Sequence, residues 1–132
     1  MSQPAKRVLF VCVENSNRSQ MAEAFARLYG GDRVQAFSAG SKPSGVVNPT
    51  AIAAMHELGC DLSKHRSKSL GEIPPGEFDA VVSMGCGDSC PHVPAKLREE
   101  WDIPDPKSLP AAEFNAVRDL IAGKVKVLID AL

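Results

Sequence analysis

Five residues separate Cys12 from Arg18 in the run Cys12-Val13-Glu14-Asn15-Ser16-Asn17-Arg18-Ser19, and that spacing suits an oxyanion cradle. A tight loop entering a helix turns successive backbone N–H groups toward one point, where the helix N-terminus adds partial positive charge. A tetrahedral oxyanion held by the amides of Val13, Glu14, Asn15, Ser16, Asn17, Arg18 and Ser19 also meets the Arg18 guanidinium, whose planar fork binds two oxygens at once. The same field favours the thiolate of Cys12, the nucleophilic form. Ser19 is placed to donate a hydrogen bond to that sulfur, and Asn15 tolerates the left-handed backbone such a loop requires. The spacing alone is a weak signal. The rival reading is a buried strand cysteine and a solvated first-turn arginine, which sets a cation against the helix dipole with no anion to offset it.

A second set of thiols lies in Met84-Gly85-Cys86-Gly87-Asp88-Ser89-Cys90-Pro91. A thiol on this glycine-bearing loop could reach Cys12 from a neighbouring strand end and pass its disulfide on to Cys90. Such exchange proceeds by thiolate attack on a disulfide sulfur, so Cys12, Cys86 and Cys90 form a relay in series. Zinc held by Cys86, Cys90 and His92 is the competing reading, and the Cys-x3-Cys spacing is compatible with it. No second metal-binding pair completes that site, so no metal and no cofactor is expected. A general acid near the anion would assist any step that expels hydroxide. Of the two carboxylates in Trp101-Asp102-Ile103-Pro104-Asp105-Pro106, Asp105, fixed between prolines, is the better candidate, and Asp102 is assigned a structural role.

These residues need a scaffold. The continuous apolar run 7–13 reads as a parallel strand buried on both faces. Segment 18–29 places Met21, Ala24, Phe25 and Leu28 on one helical face and stops at Gly30-Gly31. Residues 33–39 suit a second strand. Asn48 caps and Pro49 opens a helix that carries Ile52, Met55 and Leu58. Ser63 or Ser67 is expected to cap a short helix. Residues 78–84 form a third strand, 100–103 a short fourth, and 110–132 a helix with Phe114, Val117, Ile121, Val125, Leu128 and Leu132 on one face. The order predicts an α/β fold, a small four-stranded parallel sheet with helices on both faces, as one domain over residues 1–132. Ligands in such sheets sit beyond the strand carboxyl ends, where Cys12 lies.

A net charge of −1 provides no global field for nucleic acid or a membrane surface. No stretch approaches the ~18 apolar residues of a membrane span, and the first apolar run is too short for a signal peptide, so the chain reads as cytoplasmic. Cysteines in a reducing compartment are then not permanent staples. Cys60 is assigned to core packing and His56 to the surface. His65, with Arg66 and Lys68, is assigned to a solvated loop that could form a basic patch, and His92 could tune Cys90.

With these residues in view, the chain resembles the arsenate reductases that share the low-molecular-weight protein tyrosine phosphatase fold. The carriers are Val11-Cys12 with Asn15-Ser16, Arg18-Ser19-Gln20-Met21-Ala22-Glu23, Ser38-Ala39-Gly40 and Asn48-Pro49. Met84-Gly85-Cys86-Gly87-Asp88, Cys90-Pro91, Trp101 and Asp105-Pro106 complete the set. The resemblance implies that Cys12 attacks arsenic while Arg18 and the loop amides hold arsenate, for which phosphate or sulfate is an analogue. It implies that Asp105 protonates the leaving oxygen. Cys86 then attacks Cys12 and releases arsenite, and Cys90 resolves the disulfide, which thioredoxin reduces. Asn17 stands where the family often has a cysteine, a thiol the relay does not require. The short Cys86-x3-Cys90 spacing leaves a glutaredoxin or a small thiol as alternative reductants. A phosphotyrosine phosphatase needs only Cys12, Arg18 and Asp105, but usually has aromatic residues after the Asp-Pro to sandwich the substrate ring. Lys107-Ser108-Leu109 stands there instead. A thiol sensor or zinc-binding module is the non-enzymatic alternative.

Overall fold

The computed structural model describes residues 5–85 and 93–132. Strand β1 (Lys6–Cys12) leads through the oxyanion loop into α1 (Arg18–Gly30). The chain continues through β2 (Val34–Gly40), α2 (Pro49–His56), β3 (Phe78–Ser83), β4 (Ala95–Glu100) and α3 (Ala111–Ala131). All pairings are parallel, in the order β2-β1-β3-β4. Two strands thus flank β1 and make it central, and layers packed on both its faces explain why its sequence is apolar without alternation.

One sheet face, with Val8, Phe10 and Cys12, packs on Met21, Ala22, Phe25 and Ala26 of α1, on Ala51, Ala54 and Met55 of α2, and on the Phe114 to Ile129 stripe of α3. The other face, with Leu9, Val11, Ala39, Phe78 and Val81, is covered by Leu70 and Ile73. Leu70 opens the 3-10 turn Leu70–Glu72. Both faces are covered as expected, but the long helices share one side. No helix among the described residues is long and apolar enough to cross a membrane.

Several local expectations shift. On α1 the buried stripe includes Ala22 and Ala26, and Leu28 is 57% exposed. A count of large side chains misses the alanines that face the core. Leu58 likewise is exposed beyond the end of α2. The fourth strand is not 100–103 but Ala95–Glu100, an edge strand paired on one side only and mostly solvated. Its polar Lys96, Arg98, Glu99 and Glu100 hide it from a reading by apolar pattern, and charges of this kind blunt an open edge. Trp101 and Ile103, expected in the strand, are instead buried core. Neither Ser63 nor Ser67 caps the 3-10 turn. Ser69 precedes it, its N–H donating to Glu72 Oε2 at 2.9 Å. Asn48 caps α2 as expected, accepting from the Thr50 N–H at 3.0 Å. At the other end of α2, the buried Arg118 donates to the Ala54 carbonyl at 2.8 Å and to Glu57 at 3.0 Å, and so ties α2 to α3.

Candidate active site

The loop between β1 and α1 can be understood by asking where its carbonyls go. The N–H groups of Ser41, Lys42, Ser44 and Asn48 donate to the carbonyls of Cys12, Val13, Glu14 and Ser16 at 2.8 to 3.1 Å. Gln20 Nε2 takes the Asn15 carbonyl at 3.2 Å, and the Met21 N–H takes that of Asn17 at 3.0 Å. Each of these carbonyls is thus occupied by a neighbouring segment or by α1. None of the N–H groups from Val13 to Arg18 donates to a protein acceptor among the described residues. The loop thus has a shell of satisfied acceptors and a set of free donors. With the Arg18 guanidinium beside them, those donors make an anion site.

Asn15 is the single non-glycine residue with positive φ among the described residues, at 52°, and it is fully buried. Its Oδ1 accepts from Gln20 Nε2 and from the Lys68 N–H, both at 2.9 Å. Those two donors orient the amide so that Nδ2 points at Ser19 Oγ, 2.7 Å away. The Ser19 hydroxyl accepts from Asn15 and lies 2.9 Å from Cys12 Sγ, to which it donates when the sulfur is a thiolate. Replacing Asn15 by Ala should remove this orientation and place a Cβ-bearing residue without local hydrogen bonding in left-handed backbone. Urea denaturation should show a loss of about 2 kcal/mol. Phosphate binding measured by calorimetry should weaken with it.

Cys12, Glu14, Ser16, Asn17, Arg18 and Asp105 line a pocket of about 10 Å³, room for one water-sized group. Arg18 is buried, its Nη1 donating to the Ile103 carbonyl at 3.1 Å and its Nη2 lying 4.0 Å from Asp105 Oδ2. The seven residues expected to hold the oxyanion by their amides send their side chains to different places. Val13 packs its side chain on the sheet face that carries Leu9 and Val11. Asn15 and Ser19 act from below the sulfur, and Glu14, Ser16, Asn17 and Arg18 line the pocket. Asp105 lies opposite the loop. Asp102 is exposed, and its side chain forms no hydrogen bond or ion pair among the described residues. Cys86, Cys90 and His92 lie outside the described residues, and with them the relay and the zinc reading.

Two glycines and a polar layer, all missed as site residues, complete the cradle. A Cβ on Gly40 would come within 2.6 Å of the Val13 carbonyl and 3.0 Å of the Asn15 N–H. Gly85, with φ +78°, leaves the space that the Arg18 guanidinium fills. Beneath the loop, Glu23 is 3% exposed. It accepts from Ser38 Oγ at 2.7 Å and pairs with Arg27 at 3.1 Å and Lys68 at 3.6 Å. Ser67 Oγ donates to the Glu14 carbonyl at 2.7 Å.

His65 corrects its assignment to a solvated loop. Its side chain is 13% exposed, with Nδ1 2.9 Å from Gln20 Oε1 and 3.5 Å from Glu23 Oε2. Both neighbours are acceptors, so Nδ1 carries the proton. Burial holds this imidazole below its ordinary value, helped by Arg27 and Lys68 and opposed by Glu23. An unfolded chain protonates His65 near pH ~6.5, whereas the folded chain resists until lower pH. Between those values the unfolded state binds more protons, so stability falls as pH falls. Urea midpoints should drop from pH 7.5 to 5.5, and His65→Asn, which keeps an N–H donor, should flatten that slope. An unchanged slope would exclude His65 as its source. Cys60 is partly buried against the first core cluster, and burial pushes its thiol up, in keeping with a packing role. His56 is exposed, as expected.

Comparison with known proteins adds an independent finding. The family described as low molecular weight phosphotyrosine protein phosphatase matches residues 7–132. The glutaredoxin arsenate reductase of Synechocystis sp. is 39% identical over 127 residues, 94% of this chain and 96% of that protein. A solved arsenate reductase in the phosphate-binding state superposes with a TM-score of 0.85 at 36% identity, covering 96% of this chain and 98% of that one. The thioredoxin-dependent arsenate reductase of Corynebacterium glutamicum gives a TM-score of 0.79 at 31% identity, over 99% of this chain and 63% of that one.

Proposed function

Since the chain belongs to the low molecular weight phosphotyrosine protein phosphatase family, and its relatives include arsenate reductases at about 40% identity, we propose that it reduces arsenate to arsenite. The observation that carries this reading is the Cys12 sulfur at the base of a loop with free N–H groups, hydrogen-bonded to Ser19 and facing Asp105. An oxyanion of tetrahedral shape is what such a donor array fits, and phosphate or sulfate would occupy it in the same way.

The chemistry follows from the electrons. The Cys12 thiolate attacks As(V) and forms an S–As bond, and an arsenate oxygen protonated by Asp105 leaves as water. Arg18 and the loop amides hold the remaining oxygens. The Cys86 thiolate then attacks Cys12 sulfur. The S–As bond breaks with its electron pair staying on arsenic, so arsenite departs as As(III) and a Cys12–Cys86 disulfide remains. Cys90 attacks Cys86, restores Cys12 and leaves Cys86–Cys90 for an external thiol reductant. Two relatives are named for different donors, one a glutaredoxin arsenate reductase and the other a thioredoxin-dependent arsenate reductase, and either donor suits a Cys86–Cys90 disulfide. A reducing cytoplasmic setting fits this cycle, and neither nucleic acid nor a membrane is part of it.

The family match also keeps a phosphatase reading in view, since Cys12, Arg18 and Asp105 suffice for it. Arsenite production with thioredoxin or glutaredoxin systems, measured beside aryl-phosphate hydrolysis, separates the two. Arsenite formed under either donor is the expected result. Fast aryl-phosphate hydrolysis with no arsenite under any thiol donor would assign the chain to the phosphatases.

A further inference from the structure

Glu14 sets a carboxylate at the wall of a pocket built for anions. Left unpaired, it would oppose the substrate that the loop amides attract. Lys107 resolves the conflict, its Nζ lying 3.1 Å from both Glu14 carboxylate oxygens. The pair joins segments 93 residues apart. The Lys107 N–H also donates to Asp105 Oδ1 at 3.1 Å, so one residue holds the general acid with its backbone and the oxyanion loop with its side chain. Lys107 is 57% and Glu14 32% exposed, as expected of groups at a rim.

From this geometry we propose that Glu14 and Lys107 form a clasp across the pocket mouth that restricts it to small inorganic oxyanions. The proposal rests on the arsenate-reductase reading and names the feature that selects its substrate. A bare oxyanion needs only the loop amides and Arg18 around it, whereas an aryl ester must carry its ring out through the place the pair occupies. Closure also neutralises Glu14, so anion binding and clasp formation favour one another. An ion pair this exposed is weak and screened by salt. It therefore opens readily, as passage of substrate and approach of a second thiol require.

Calorimetric titration of the reduced protein with inorganic phosphate and with phenylphosphonate tests the clasp without any turnover. Wild type should bind phosphate on the order of fivefold more tightly than phenylphosphonate. Lys107→Ala should weaken phosphate binding on the order of two- to fivefold at low salt, by leaving Glu14 uncompensated, and Lys107→Arg should restore it. The double variant Glu14→Gln/Lys107→Ala should recover phosphate affinity and close most of its gap to phenylphosphonate. Thermal unfolding of each variant verifies that the fold is intact. If Lys107→Ala costs as much in the Glu14→Gln background as in wild type, or if the double variant keeps the wild-type gap between phosphate and phenylphosphonate, the clasp is wrong. Arsenite assays decide the parent reading separately: a chain that forms no arsenite but shows the binding pattern keeps the clasp and loses the reductase assignment.

Discussion

Cys12→Ser is expected to abolish arsenite production, a loss of about 10⁴-fold or more, while phosphate binding stays within a few-fold of wild type. Cys12 is 2% exposed and belongs to the first core cluster, so a serine there keeps nearly the same shape. The Ser19 hydroxyl would meet an oxygen in place of the sulfur it now contacts at 2.9 Å. Chemistry suffers far more than structure. A serine hydroxyl is a poor nucleophile at neutral pH without a strong base beside it. No oxygen, moreover, can form the disulfide through which electrons reach arsenic. The anion site should survive because it consists of backbone N–H groups and Arg18, which the substitution leaves in place. Arsenite quantified with excess thiol donor, alongside phosphate calorimetry, gives both numbers. Residual reduction above one-hundredth of wild type would mean that another thiol attacks arsenic first.

The oxyanion loop was legible from sequence because its parts are local: a strand end, a short loop and a helix start fix the cradle within a few residues. The second half of the site is not local. Nothing in Gly40 announces that β2 brings it against Val13 and Asn15, because the close approach is created by pairing of Cys12 with Gly40 across the sheet. Lys107 reads as an ordinary charged loop residue until the fold sets it beside Glu14. His65 was misplaced for the same reason, since a histidine in a polar segment looks solvated unless its partners, Gln20 and Glu23, are known to face it. The misplaced fourth strand has a different cause. An edge strand paired on one side has little need of an apolar pattern, and Ala95–Glu100 shows almost none. Buried strands advertise themselves through composition, while edges and long-range polar contacts do not.

Cys86→Ser and Cys90→Ser should stop the cycle at different places, and the difference identifies the relay. Without Cys86, the S–As bond on Cys12 lacks the thiol that breaks it in the relay, so a single turnover releases no arsenite and steady-state reduction falls by about 10³-fold or more. An external thiol present in large excess can still attack Cys12 slowly, and this sets the residual rate. Without Cys90, Cys86 remains able to attack. One arsenite is then released per chain, and the protein halts as a Cys12–Cys86 disulfide that regains activity only as fast as an outside thiol opens it. Wild type in the absence of reductant should also release one arsenite per chain, but with Cys12 free and Cys86 joined to Cys90. Peptide mapping of the three quenched reactions assigns the disulfides, and arsenite counts assign the turnovers. If Cys86→Ser releases arsenite as wild type does, or Cys90→Ser turns over repeatedly at the native rate, the order of the thiols proposed above does not hold. The order has a physical basis in that the first thiol must sit in the anion site, where Cys12 is held by Ser19. The later two are free of that requirement: Cys86 need only reach Cys12, and Cys90 need only reach Cys86 and a reductant.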